Sequence, residues 1–289
     1  MLLDRQDGRT FSLLYDKSRR LDLQHQIWLL TLHGHLHTTW LPPELTSVLD
    51  VGTGTGVWAL AMAAAWPNAT IVATDLTPPD ISNMPPNLSL RRHNADHNWP
   101  FESESFGYIH GRMLASGIHD WPGFLSKCWK HLAPGGHLEL LDLVHPFRAD
   151  DQEADSPEAS PFIFFGQVAR RSWHQSGLDY FAAEKHVARL GDLGFTDIVD
   201  HSHRWPLGAW GDTDRERRIG ELTLDNFTKF IRTAGETILT QHELMQKQVA
   251  KDVVASALKD LEENCTMKRF YFTIKVHTAV KPGREMQFQ

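Results

Sequence analysis

At 289 residues the chain is long enough to bury a full core, and it reads as one elaborated domain. A net charge of -7, from 36 acidic against 29 basic side chains and no dense Lys/Arg run, argues against nucleic acid as a partner. The start, MLLDRQDGRT, has no apolar h-region and no later stretch approaches the roughly 20 apolar residues that span a bilayer, so a soluble, cytoplasmic protein with no membrane partner is expected. Cys128 and Cys265 are the only cysteines, which excludes a disulfide framework or a thiolate-rich zinc site and predicts two reduced, buried thiols.

Taken in chain order, Leu21, Leu23, Ile27, Leu30 and Leu36 fit an amphipathic helix or a broken pair of helices between Asp16 and Thr39, and Pro42-Pro43 ends it. Thr46 to Val51 reads as a strand, Gly56 to Trp66 as a helix and Thr70 to Thr74 as a second strand, which makes one βαβ unit. Leu88 to Arg92 and Phe106 to His110 are the next strands, Trp121 to Leu132 is helical, and His137 to Leu143 is the fifth strand after the turn Ala133-Pro134-Gly135-Gly136. Arg148 to Pro161 reads as a loop. Helices over Phe162 to Trp173 and Ala182 to Leu193, a strand from Thr196 to His203, a mostly helical run from Asp214 to Glu263 and a last strand from Phe270 to Thr278 complete the chain. Strands alternating with helices imply a parallel sheet with crossovers on both faces. The expected organisation is a helical cap over residues 1–45, a cofactor-binding core over 46–145, and helical insertions with the final two strands of the same domain over 146–289.

The stretch Val48-Leu49-Asp50-Val51-Gly52-Thr53-Gly54-Thr55-Gly56 carries most of the chemistry. A dinucleotide turn follows G-x-G-x-x-G, so that a pyrophosphate meets the helix N-terminus. Here Gly56 comes one residue early, and Asp50 sets a carboxylate beside the turn. That carboxylate suits an ammonium group better than a pyrophosphate, so a ligand with a zwitterionic amino-acid tail fits. This resembles the class I S-adenosylmethionine-dependent methyltransferases, whose first motif has the form D-x-G-x-G-x-G. The resemblance implies a doubly wound, seven-stranded, mostly parallel α/β sheet, Rossmann-like, and S-adenosyl-L-methionine as cofactor. It implies that Asp75, at the end of strand 2, accepts from the ribose hydroxyls and that Leu76 packs on adenine. It also implies that the adenine edge is read from the segment His93-Asn94-Ala95-Asp96, with Asn94 standing where an acid is expected.

More narrowly the chain looks like the fungal branch related to the LaeA regulator of secondary metabolism. Gly8-Arg9-Thr10-Phe11, Arg20-Leu21-Asp22-Leu23-Gln24-His25, Ile109-His110-Gly111-Arg112, Ile118-His119-Asp120-Trp121 and Trp205-Pro206-Leu207-Gly208-Ala209-Trp210 carry that likeness. It implies that the cap, through Arg20 and His25, closes over the methionine end of the cofactor. Arg112, at the carboxyl edge of the sheet, is placed either to pair with Asp50 or Asp142 or to reach the cofactor tail.

A sulfonium methyl is already activated, so the protein has mainly to align an acceptor and exclude water. Histidine suits the task of taking a proton near neutral pH, and His110, His119 and His145 follow strands 4 and 5. No metal is expected, because His33, His35 and His37 fall on different helix faces with no carboxylate or cysteine nearby in sequence. Phe162, Phe164, Phe165, Trp173, Trp205 and Trp210 are expected to roof the acceptor pocket, which points to a hydrophobic small molecule such as a secondary metabolite. Two other readings stay open at this point. One is a LaeA-like regulator, for which a nuclear location would follow; the other is an enzyme that keeps the cofactor as a structural charge and catalyses a rearrangement.

Overall fold

The computed structural model describes residues 19–283, and the motif Gly8 to Phe11 lies outside them. Seven strands, β1 (Ser47–Val51), β2 (Thr70–Asp75), β3 (Leu88–Arg92), β4 (Phe106–Arg112), β5 (Leu132–Ala149), β6 (Thr196–Pro206) and β7 (Phe270–Val280), form one sheet in the order β3-β2-β1-β4-β5-β7-β6. Only β7 runs against its neighbours. The inner strands are apolar without alternation because helices cover both faces, as in β1, where Val48 through Val51 are all buried.

The helices are α1 (residues 19–31), α2 (Val57–Ala65), α3 (Trp121–His131), α4 (Pro161–Gln175), α5 (Ala182–Asp192), α6 (Asp214–Thr240) and α7 (Lys247–Lys268). Three of these helices start on a capping side chain. Asp120 accepts from the Gly123 N–H ahead of α3, Ser160 from the Ile163 N–H ahead of α4, and Thr213 and Glu216 form a reciprocal capping box ahead of α6.

Three spans are sharpened or corrected relative to the sequence expectation. The helix or broken pair of helices expected from Asp16 to Thr39 is a single helix that gives way after residue 31 to turns, where His33 and Gly34 adopt positive φ. The run from Asp214 to Glu263 is two helices, parted by a 3-10 turn at Gln241–Glu243 in which His242 and Glu243 have positive φ, although neither proline nor glycine marks the break. Strand 5 extends back through the expected turn Ala133–Gly136 and forward to Ala149, and the expected loop follows from Asp150 to Ser160. Pro146 is tolerated inside it because the pairing with β7 slips between Val144 and Arg148, where no ladder donor is needed. Both cysteines are free and buried.

The long β5 has two uses. Its first half pairs with β4 up to Leu141, and its second half stands proud of the parallel sheet with only β7 beside it. Phe147, Phe270, Phe272 and Trp205 on this arm pack with Phe162 and Phe165 of α4 and with residues of α6 and α7 into the largest apolar core. A second core lies between β4, β5, α3 and α5, and a third lies under α2.

The N-terminal helix is tied to this frame at several points. Trp205 donates its indole N–H to Thr31 at 2.7 Å, and Asn226 of α6 donates to the Arg20 carbonyl at 2.7 Å. Below α1, the buried Glu139 carboxylate accepts from the Thr38 N–H at 2.9 Å, the Thr39 N–H at 3.2 Å, the Thr38 hydroxyl and the Tyr108 hydroxyl. Removing this acceptor strands the buried Tyr108 hydroxyl and unties Thr38 and Thr39 from the sheet. Glu139→Ala is expected to lower the unfolding free energy by roughly 2–4 kcal/mol, read from urea melts, and to release the α1 to β1 connection.

Candidate active site

The strand order reverses between β1 and β4, and their carboxyl ends frame a cavity of about 860 Å³. Parallel register sets Asp50 of β1 directly beside His110 of β4, so residues 60 apart in sequence share one face of the sheet. His110 donates from Nδ1 to Asp50 Oδ1 at 2.7 Å, and its ring lies flat on Trp58 of α2 with centroids 3.7 Å apart. Asp50 Oδ2 is buried and has no partner. Arg112, at the end of β4, is half-buried and donates to His25 Nδ1 at 3.2 Å. Burial holds the guanidinium down to about 10 against the pull of Asp50, so it stays charged at neutral pH.

The glycine turn crosses the mouth of this cavity. Gly52, Gly54 and Gly56 all have positive φ, which a residue with a Cβ resists. A Cβ on Gly54 would point toward Leu21 of α1 at 3.4 Å, into the gap between turn and cap. Asp75 closes the far side, with Oδ2 accepting from the Gly54 N–H at 2.9 Å and Oδ1 from the Thr77 N–H at 2.9 Å. Each of its oxygens keeps a lone pair for a further donor. Leu76, Asn94 and Ala95 continue that wall, and Leu76 is 58% exposed.

The other end of the cavity lies against the β5 and β7 arm. Ile27, Trp173, Tyr180, Trp205, Phe227 and Phe272 form its walls, and Asp142 and His145 are the ionisable groups among them. Trp173 and Tyr180 stack at 4.2 Å, and His145 packs edge-on against both. Asp142 accepts from the Ala115 N–H at 2.8 Å and the Leu143 N–H at 2.9 Å, and burial pushes its carboxyl up to about 7. Burial together with the Arg170 charge pushes His145 down to about 3.

Residues 22–197 match the methyltransferase domain family. The methyltransferase pytC of Aspergillus terreus is 30% identical over 223 residues, spanning 77% of this chain and 68% of that protein. The protein-methionine methyltransferase laeA of Emericella nidulans is 26% identical, spanning 92% and 70% of the two chains. Among solved structures the cyclase SpnF superposes with a TM-score of 0.51 at 17% identity, covering 90% of this chain and 83% of that one, a likeness of fold. The chain belongs to the methyltransferase domain family.

The cofactor of this methyltransferase is S-adenosylmethionine, and the residues present fit it. An unpartnered buried carboxylate oxygen on Asp50 calls for a donor, the glycine turn leaves space toward the cap, and Asp75 offers two oxygens at the mouth. Asp50, Gly52, Thr53, Gly54, Asp75, Leu76, Asn94, Ala95, Arg20 and Arg112 all line one cavity. Several sequence-predicted residues stand elsewhere. Gly56 is set back under Ile81, and His25 lies behind Arg112 instead of on the cavity wall. Asp96 turns away to accept from the His119 ring at 2.8 Å and from its N–H, which holds that carboxyl low, and His119 is thereby engaged outside the cavity. Of the expected lid aromatics, Trp173 and Trp205 face the cavity, whereas Phe162 and Phe165 are core residues, Phe164 faces outward and Trp210 donates to the Phe270 carbonyl. Helical periodicity explains the difference, since Phe162 and Phe165, three apart, share the inward face of α4.

Asp142 is the residue that sequence reasoning missed as a site group. Its signal is an acid in the middle of the apolar run Leu140-Leu141-Asp142-Leu143-Val144, where a carboxylate has to be explained. No group of three or more His, Cys, Asp or Glu among the described residues is arranged to hold a metal ion, and no helix among them is long and apolar enough to cross a membrane.

Two outcomes follow from this geometry. Gly54→Val, which adds bulk between the turn and Leu21 and strains a positive φ, is expected to abolish binding of S-adenosylhomocysteine by calorimetry while the protein still folds. Because the folded carboxyl of Asp142 titrates near 7, above the ordinary value near 3.8, the folded state holds an extra proton between those limits and stability falls as pH rises across that window. Thermal melts from pH 5 to 8 are expected to show this slope in the wild type and a shallower one in Asp142→Asn.

Proposed function

We propose that this methyltransferase methylates a hydrophobic small molecule at an oxygen, nitrogen or sulfur centre, and that Asp142 takes the proton of an acceptor that has one to lose. The observation that carries this reading is the aromatic and aliphatic wall formed by Ile27, Trp173, Tyr180, Trp205, Phe227 and Phe272 at the inner end of the cavity. Such a wall rewards a ligand that leaves water entirely, as a flat apolar metabolite does. S-adenosylmethionine, when bound, supplies an activated sulfonium methyl.

The chain's own residues divide the remaining work. Asp75 accepts from the ribose hydroxyls, Leu76 covers adenine, and Asn94 and Ala95 meet its edge. Asp50 receives the ammonium and Arg112 the carboxylate of the amino-acid tail. At the acceptor end the choice of base follows from base strength. His145 is neutral but, pushed down to about 3, holds a proton poorly, whereas Asp142 near 7 is matched to neutral operation. His145 then serves as a hydrogen-bond partner that orients the acceptor, and the surrounding aromatics exclude water. The relative named as a protein-methionine methyltransferase supplies a second reading, a thioether of a protein as acceptor.

Incubating the protein with cell extract and a labelled methyl donor distinguishes the two. Label that partitions into organic solvent supports the small-molecule reading, and label retained on precipitated protein favours the second. With the acceptor so identified, an oxygen or nitrogen acceptor that must lose a proton is expected to show a rate that rises with pH through about 7 as Asp142 ionises, and Asp142→Asn to lower kcat by roughly 10²–10⁴ without that rise. Asp75→Ala is expected to weaken S-adenosylmethionine binding by roughly 1–3 kcal/mol in calorimetry, and unchanged affinity would remove it from the ribose assignment.

A further inference from the structure

Asp50 and Arg112 carry opposite charges in the same buried end of the cavity, yet they are not paired with each other. Arg112 feels the Asp50 charge, but no carboxylate among the described residues lies within ion-pairing distance of its guanidinium. Each charge instead rests on a histidine. His110 donates to one oxygen of Asp50 and leaves Oδ2 bare; His25 accepts from one terminal nitrogen of Arg112. Left alone, a carboxylate and a guanidinium so placed gain most by collapsing into a bidentate pair.

The two imidazoles are themselves fixed. The His110 ring is clamped flat against Trp58, whose indole N–H is held by the Leu36 carbonyl at 2.8 Å. His25 is buried on α1, the helix tied to β6 and α6. Burial disfavours charge on both rings, and the Arg112 charge adds to the effect at His25, which falls to about 4. A neutral ring orients its partner but does not cancel its charge, so the carboxylate and the guanidinium each still need a counter-ion.

We infer that His110 and His25 are positioning residues which hold Asp50 and Arg112 apart as a preformed receptor for the ammonium and carboxylate of the cofactor's amino-acid tail. This rests on the reading of Asp50 and Arg112 given above and gives His110 a positioning role toward the cofactor tail through its Nδ1 proton. A cap histidine thereby reads the charged end of the ligand without touching it, which couples seating of α1 to recognition of the tail.

The test compares two probes that share the adenosine and thioether but differ in the tail. S-adenosylhomocysteine carries the zwitterion and methylthioadenosine lacks it. Calorimetry on the wild type is expected to show clear preference for S-adenosylhomocysteine; equal affinity for both would bring down the Asp50 and Arg112 reading itself. His110→Phe and His25→Phe are each expected to weaken S-adenosylhomocysteine about 10- to 100-fold while leaving methylthioadenosine within about twofold, the scale of losing a hydrogen bond to a charged group. His110→Asn and His25→Asn, whose amides sit where Nδ1 sat, are expected to keep the preference, and His110→Gln and His25→Gln, whose amides reach the Nε2 position, to lose it. If a Phe variant does not fold, the Asn and Gln pair decides at that position. Equal weakening of both probes, or an unchanged preference in the Phe or Gln variants, overturns the inference.

Discussion

The register between β1 and β4 is the constraint on which the site depends. Leu49 lies opposite Ile109 and Val51 opposite Gly111, so Asp50 and His110 project from the same face of two adjacent strands. A slip of one residue would turn one of the pair to the opposite face. That register is held by a buried apolar ladder, Val48 and Leu49 against Tyr108 and Ile109, all essentially inaccessible to solvent. The polar centre is therefore a by-product of packing that would be demanded anyway. Glycine at 111 and at 52 then leaves room for Leu114, whose side chain would meet a Cβ at either position.

The acceptor end obeys a different rule. A parallel strand of ordinary length would stop at the sheet's edge, but β5 continues to Ala149 because β7, running the other way, offers it a partner beyond β4. The extension lifts His145 and Phe147 above the plane, and β7 and β6 bring Phe272 and Trp205 alongside. Helices α4, α6 and α7 have to cover this arm, and in doing so α4 and α6 line the chamber. Its apolar character therefore comes from the structural need to bury a protruding antiparallel pair, with Asp142 at the point where β4 ends and the arm begins.

The cofactor half was legible in the sequence because its signals are local. Asp50, the glycine turn and Asp75 lie within one βαβ unit, and their spacing carries the chemistry. The acceptor half was legible only in outline. Trp173 faces the cavity while Phe162 and Phe165, equally aromatic and on the same helix, do not, and only the face of α4 in contact with Phe147 decides between them. His110, His119 and His145 looked alike as residues following strands. They differ in what three distant elements bring to them: Asp50 and Trp58 for the first, Asp96 for the second, an aromatic pocket for the third. Pattern reading has no access to such partners, because they are 60 or 23 residues away in the bonded cases and are set by sheet order.

Holding opposite charges buried and unpaired works against stability. A desolvated carboxylate with one bare oxygen and a guanidinium held by a neutral ring each forgo solvation that a direct pair would partly restore. The fold tolerates this because the surrounding frame does not depend on either charge. Trp58, Tyr108 and Glu139 anchor the neighbouring strands and the cap loop through packing and satisfied hydrogen bonds. A zwitterionic ligand then supplies both missing partners at once, and its binding free energy adds to the stability of the folded state. The rigidity of His110 on Trp58 matters for the same reason. A receptor that needed to pull Asp50 and Arg112 out of a mutual ion pair would spend part of the ligand's interaction energy on that separation, whereas one already held open applies it to binding.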